Sequence, residues 1–409
     1  MDDRTASTKS SRLAIEPAKE ARLRRRFPTV HYLREHARRR LPRFSFDYMD
    51  GGAGADGGIA RNAAALDAIE LVPRYGCDPG PAATETVLFG RRYAAPIGVA
   101  PMGLSGAVLP GAEEYLARAC EQARIPYTAS TVGGTPIEQL AALAPNVFWF
   151  QLYRLARNDH AIGYDLMHRA QSVGAHVLVL TLDVPVRTVR PREVRNRLTI
   201  PFRPNLRTLF DVATSPRWLL GYLRRGHPRM ANFAPYISAA PTPENLAAFS
   251  QLEMGGGFTW DEVARIRDRW QRPLVVKGIL HPLDAEKAVS LGVDGIQVSN
   301  HGGRQIEAAP ASIDVLPAIV SAAGARATIL MDSGVRSGLD VVRAVALGAD
   351  AAFAGKAFLY GLGAAGGDGA GYVAQVLIGE IEAALRQLGA GSPREVRSIA
   401  VRHPGALRF

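Results

Sequence analysis

Short, mainly apolar runs recur along this chain, and each is followed by a turn and then by a stretch of helical periodicity. The runs occupy residues 97–100, 126–129, 147–150, 177–180, 274–276, 295–298, 328–331 and 351–354. Between them, apolar positions return every three or four residues over 111–123, 137–142, 160–173, 260–270, 282–291, 313–322 and 338–347, the spacing of a helix with one buried face. Apolar strands that alternate with helices predict a parallel sheet covered by helices. Eight such units predict a closed (β/α)8 barrel in preference to an open doubly wound sheet.

Ahead of the first unit, a helix is predicted from near Pro28 through VHYLREHARRRL, and a second over 44–50, where Gly51 and Gly52 stop it. An outsized insertion, roughly 199–259, separates the fourth strand from the fifth and carries PRWLLGYLRRGHP followed by polar, proline-rich sequence. A connection of that length inside a compact domain is usually functional or disordered. The expected organisation is a basic flexible tail over 1–26 and a barrel over 27–409.

Charge changes this picture locally. Residues 1–45 hold 13 Lys/Arg against 5 Asp/Glu, and residues 190–230 hold 10 Arg against 2 acids, so these two segments carry more than the whole net charge of +11. Two basic segments on a near-neutral body suit a local anionic partner or a solvated surface, not a generally basic protein. No nucleic-acid-binding motif accompanies them, so no nucleic acid is expected. The two cysteines, Cys77 and Cys120, form no CxxC pair; neither a disulfide framework nor a metal site is expected, which fits a reducing cytosol. No run reaches the roughly 18 apolar residues of a membrane span, and the start of the chain lacks the apolar centre of a secretory signal.

The candidate chemistry is positional. Nearly every apolar run ends in polar or glycine-containing sequence: Pro101-Met102-Gly103, Ser130-Thr131, Gln151-Leu152-Tyr153, Thr181-Leu182-Asp183, Lys277-Gly278, Ser299 to Arg304, Asp332 to Arg336 and Gly355-Lys356. In a barrel these ends share one rim, the rim that holds active sites. Lys277 closes the apolar strand LVVKG, where an ammonium is costly unless an anion meets it. The endings after strands seven and eight, with Gly334, Arg336, Gly355 and Lys356, suit a phosphate, because glycine backbone N–H groups and a cation lie where barrels often bind one. His301 and Arg304 share the segment SNHGGRQ: an imidazole fit to act as a base near neutral pH and a guanidinium fit to clasp a carboxylate.

With these endings in this order and the segment VSNHGGRQ, the chain resembles the FMN-dependent 2-hydroxy acid oxidases and dehydrogenases from about Phe27 to Leu388. The resemblance implies bound FMN and oxidation of an (S)-2-hydroxy acid, lactate- or mandelate-like, to the 2-oxo acid. It implies that Ser130, Gln151, Thr181 and Lys277 bind the flavin ring, with Ser299 beside them and Ala100, Pro101 and Met102 near N5. Asp332 and Arg336 would hold the ribityl chain and phosphate, with Gly334, Gly355 and Lys356 completing that pocket. Arg190, Arg304 and Tyr48 would bind the substrate carboxylate and Tyr153 its hydroxyl. His301 would be the base, oriented by Asp183.

Three positions depart from the family pattern: Met102 stands for the usual Thr, Lys356 for Arg, and Ser333 for Gly. Gly103 and the insertion lean towards the mandelate dehydrogenases, in which the insertion attaches the enzyme to the membrane. By this resemblance the electron acceptor is a quinone or oxygen, the location cytoplasmic or peripheral on the inner membrane, and the assembly a homotetramer. Two other readings compete. One is a different FMN barrel, such as a type 2 isopentenyl diphosphate isomerase or a dihydroorotate dehydrogenase, which needs no paired Arg190/Arg304 clamp. The other is a non-catalytic basic protein that binds membrane or nucleic acid.

Overall fold

The computed structural model describes residues 15–76, 80–186, 188–198, 205–226, 230–237 and 242–409. Eight parallel strands close into a barrel: β1 (Ile97–Val99), β2 (Tyr127–Ser130), β3 (Phe148–Leu152), β4 (Leu178–Thr181), β5 (Leu274–Ile279), β6 (Gly295–Val298), β7 (Thr328–Met331) and β8 (Ala351–Ala354), with β8 pairing back onto β1. Residues of these strands are almost all buried, as a sheet covered by helices outside and filled by side chains inside requires.

The register decides where the chemistry goes. Ser130 lies opposite Gln151, Thr181 opposite Lys277, and Lys277 opposite Gln297. Polar residues that the sequence places at separate strand ends therefore stand at one level around the mouth. At β5 the ladder is bulged between Lys277 and Ile279. Gly278 takes φ +97° there, and a Cβ on it would fall 2.5 Å from Cβ of Asp183. The bulge thus lets Asp183 pack against the end of β5, and only glycine permits both the dihedral and the approach.

Below the mouth the barrel is filled by large rings. Trp149 packs on Phe353 at 5.4 Å between ring centroids and donates from Nε1 to the Tyr93 hydroxyl at 3.0 Å. Tyr93 belongs to the hairpin Thr86–Leu88/Arg91–Tyr93, whose turn brings Phe89 against Trp149 and the start of β6. Outside, Lys356–Ala365 packs between Val30–Arg40 and the long helix Asp368–Leu388. The helices Gly57–Asp67, Lys356–Ala365 and Asp368–Leu388 are absent from the sequence reading, as the first two lack a clean amphipathic stripe.

The insertion is helical within its described residues: Leu206–Ala213, Pro216–Arg225 and Pro243–Glu253. Trp218 pins it down, meeting Phe44 edge to face at 5.4 Å and donating from Nε1 to the Ala107 carbonyl at 3.1 Å. Leu206, Leu209, Phe210, Leu220 and Leu223 remain exposed. Of the basic N-terminal segment, residues 1–14 lie outside the described residues, while Pro17–Arg26 is a helix that buries Leu23. Cys120 is buried and free; Cys77 lies outside the described residues.

Gly98 faces the rings that fill the barrel, and a Cβ there would lie 2.5 Å from the Phe353 ring. Gly98→Ala should therefore lower unfolding stability by about 1–3 kcal/mol in denaturant melts. Adding Phe353→Leu should recover part of the loss.

Candidate active site

The mouth is built around a buried ammonium. Lys277 Nζ donates to Ser299 Oγ at 2.7 Å and lies 3.2 Å from Asp332 Oδ2. Ser299 passes the interaction on, donating to Asp332 Oδ1 at 2.5 Å, while Gln297 donates to Oδ2 at 2.7 Å. Burial alone would lower the lysine pKa, but the Asp332 and Asp183 carboxylates reverse that and hold it above its ordinary value. The lysine therefore stays charged at the end of its apolar strand.

His301 follows β6 on a backbone that turns left-handed three times, at His301, Gly302 and Gly303 (φ +59°, +67° and +73°). Two hydroxyls hold that turn: Ser299 Oγ accepts from His301 N at 3.0 Å, and Ser333 Oγ accepts from Gly302 N at 2.9 Å and Asn300 N at 3.2 Å. His301 Nδ1 and Asp183 Oδ1 are 2.9 Å apart. Burial would raise the Asp183 pKa, yet the charges of His301 and Lys277 keep it below the usual carboxylate range. An ionised Asp183 makes Nδ1 the protonated nitrogen and leaves Nε2 as the ring's basic atom.

Tyr48 and the two arginines meet beside this loop. Arg304 donates from NH1 to the carbonyls of Tyr48 and Gly51, both at 2.8 Å, and its guanidinium stands 5.3 Å from the centre of the Tyr48 ring. Arg190 donates from Nε to the Arg304 carbonyl at 3.4 Å. The Tyr48 hydroxyl donates to the Gly103 carbonyl at 2.7 Å. Burial pushes the Tyr153 hydroxyl well above its ordinary pKa, and the Asp183 charge adds to the shift. Tyr153 is consequently a neutral donor near neutral pH.

A polar, planar ligand is suited by what the rim leaves open. Ser130 Oγ occupies Gln151 Oε1 at 3.1 Å, whereas Gln151 Nε2 and Thr181 Oγ1 are buried and have no partner among the described residues. Orphaned polar atoms at a mouth are costly unless a ligand meets them. Of the residues expected around a phosphate, Arg336 donates from NH1 to the Val335 carbonyl and lies over Tyr360, without a carboxylate in ion-pair range among the described residues. Gly355 lies against Met102, whose sulfur would stand 3.3 Å from a Cβ placed there. Ala100 N donates to the Ala354 carbonyl, tying β1 to β8 beneath Pro101 and Met102.

Two predicted residues point elsewhere than expected. Asp332 is spent on Lys277, Gln297, Ser299 and Ser333. Lys356 Nζ donates to the carbonyls of Asp50 and Gly51 at 2.7 and 3.1 Å. Burial pushes the Lys356 pKa well down, and the Arg304 and Arg336 charges push it further. At Gly103 a Cβ would lie 2.4 Å from Val132 Cγ2, so the glycine makes room for Val132.

The sequence reading missed the buttress behind Tyr48. Asp50 accepts from Arg34 at 2.7 and 3.0 Å, from Arg192 at 3.0 Å and from the Tyr360 hydroxyl at 2.7 Å. It missed Glu193 between the two clamp arginines, and the buried amide pair of Asn62 and Asn300 that anchors the His301 loop to helix Gly57–Asp67. Only the acid three residues after Arg190 was a readable signal.

The chain is similar in sequence and in fold to known flavoenzymes. The family described as FMN-dependent dehydrogenase matches residues 37–403. L-lactate dehydrogenase of Caulobacter vibrioides is 40% identical over 367 residues, 90% of this chain and 94% of that protein. The monotopic membrane protein (S)-mandelate dehydrogenase superposes with a TM-score of 0.86 at 34% identity, covering 92% of this chain and 99% of that one. A mandelate oxidase superposes with a TM-score of 0.79 at 33% identity, covering 93% and 100%.

The Asp50 carboxylate is held below its ordinary pKa: burial opposes ionisation, and the Arg34 and Tyr360 hydrogen bonds overcome it. Its stabilisation is therefore present above about pH 4, where the unfolded carboxylate is also ionised, and is lost as the pH falls further. Asp50→Asn should cost about 2 kcal/mol at pH 7, less than a fully buried pair because both arginines are partly solvated. The loss should shrink in denaturant melts at pH 3.

Proposed function

The chain belongs to the FMN-dependent dehydrogenase family, and from that premise we propose that it oxidises an (S)-2-hydroxy monocarboxylic acid, lactate- or mandelate-like, with His301 as the base. The observation that carries the proposal is the His301–Asp183 pair, 2.9 Å apart, on the same rim as Lys277 and the unpartnered Gln151 and Thr181 atoms. These residues suit FMN: Gln151, Thr181, Ser130 and Lys277 would meet the ring, and Arg336, with Gly334 and Gly355, would lie towards the phosphate. When bound, FMN supplies the two-electron acceptor for the hydrogen on the substrate Cα.

The protein's own part is binding, orientation and one proton. Arg190 and Arg304 clasp the substrate carboxylate as a paired guanidinium clamp, and Tyr48 supports Arg304 through its carbonyl. Tyr153, held neutral, donates to the substrate oxygen. His301 takes the hydroxyl proton at Nε2, and Asp183 stabilises the imidazolium that results. Lys277, charged and fixed by Ser299 and Asp332, balances negative charge that develops on the ring side of the mouth.

The surface supports a membrane-bound electron acceptor. Helices Leu206–Ala213 and Pro216–Arg225 expose Leu206, Leu209, Phe210, Leu220 and Leu223 beside Arg224 and Arg225, a combination that lies well in an anionic lipid interface. No helix among the described residues is long and apolar enough to cross a membrane. Likeness to a monotopic membrane protein, (S)-mandelate dehydrogenase, supports peripheral attachment, and a quinone is an acceptor that a lipid surface would supply.

Anaerobic mixing with (S)-lactate or (S)-mandelate should bleach the bound flavin. His301→Ala should slow bleaching about 10²–10⁴-fold with FMN retained; an unimpaired rate would remove His301 as the base. Vesicles containing phosphatidylglycerol should sediment the protein at low salt. A Leu209→Ser/Phe210→Ser variant should stay in the supernatant while turning over a soluble dye at the parental rate.

A further inference from the structure

The carboxylate clamp already contains a carboxylate. Glu193 Oε1 accepts from Arg304 NH2 at 3.0 Å and from Arg190 NH1 at 3.2 Å. Among the described residues, Glu193 is the one acid in ion-pair range of either guanidinium. Of the other donors of the clamp, Arg304 NH1 is given to the Tyr48 and Gly51 carbonyls and Arg190 Nε to the Arg304 carbonyl. A substrate carboxylate that bridges the two guanidiniums through Arg304 NH2 and Arg190 NH1 competes with Glu193 for those N–H groups. Burial and the Arg190 charge both push the Arg304 pKa down, so two guanidiniums this close need an anion between them.

Glu193 is not required to neutralise its own helix. Arg192, its neighbour in Pro191–Arg195, is paired with Asp50 and Asp56, and Asn196 with Asp47. These contacts fix the helix beside the clamp, while the Glu193 side chain keeps 20% of its surface exposed and has solvent to turn into. Two guanidiniums and one carboxylate carry a net charge of +1 whether the carboxylate is Glu193 or a bound monocarboxylate, so the exchange leaves the charge of the clamp unchanged.

We propose that Glu193 is an internal stand-in for the substrate carboxylate, which holds Arg190 and Arg304 together in the free enzyme, is displaced when substrate binds, and sets the affinity of the clamp for monocarboxylates. The proposal rests on the reading of Arg190 and Arg304 as that clamp.

The test is titration of the FMN-loaded enzyme with propionate, a carboxylate with no hydroxyl to oxidise, followed by flavin absorbance. Glu193→Gln keeps the shape and one acceptor but removes the charge. It should bind propionate roughly tenfold more tightly, about 1.4 kcal/mol, and lower KM for (S)-lactate by a similar factor with a much smaller change in kcat. A purely structural role predicts the opposite, weaker propionate binding as Arg190 loses its anchor, and that result, or no change, overturns the proposal. Arg190→Lys and Arg304→Lys separate the two ideas. If neither weakens propionate binding, the clamp itself is misassigned; if both weaken it and Glu193→Gln does not tighten it, only the displacement by substrate fails.

Discussion

A lysine ammonium at the end of an apolar barrel strand is tolerable only where carboxylates and hydroxyls meet it, and the rest of this mouth is arranged around that requirement. Lys277 stays charged because Asp332 and Asp183 outweigh its burial. Asp332 is in turn held by Gln297, Ser299 and Ser333, and the same two hydroxyls grip the turn that carries His301. Moving the ammonium would therefore disturb the base as well as the ring-binding edge. One buried charge couples β5, β6 and β7 to a single geometry, because a buried polar network tolerates little slack.

Carboxylates organise the cations throughout the site. Asp183 orients the imidazole, Asp50 gathers Arg34 and Arg192 behind Tyr48, and Glu193 sits between Arg190 and Arg304. A mouth that must bind an anionic substrate and a phosphate is self-repelling without such partners. Lys356 shows the other side of the same constraint. Among the described residues no carboxylate lies in ion-pair range of its ammonium, which donates instead to the Asp50 and Gly51 carbonyls, with its pKa pushed well down. Lys356 thus links the end of β8 to the segment bearing Tyr48.

The insertion joins this machinery to the surface. Trp218 ties helix Pro216–Arg225 to Phe44 and to Ala107, both near the segments that frame Tyr48 and Gly103. The opposite side of the same helices presents leucines and a phenylalanine to the outside. The exposed leucines and phenylalanine are consequently only one helix thickness from the loops at the barrel mouth.

Strand and helix positions were legible in the sequence because periodicity is local: all eight strands fall on predicted runs, three of them with identical ends. The rim residues were legible for the same reason, since a polar residue closing an apolar run is visible without its neighbours. Pairings were not. His301 and Asp183 are 118 residues apart, Lys356 and Asp50 are 306 apart, and Arg304 and Glu193 are 111 apart. Helix Lys356–Ala365 escaped notice because it is buried on all sides and carries no polar stripe. The sequence by itself determined that eight apolar strands would close and that their polar ends would share a mouth. Which carboxylate neutralises which cation was decided only by the register and the β5 bulge, because charge pairing depends on distances of a few ångströms that chain order does not encode.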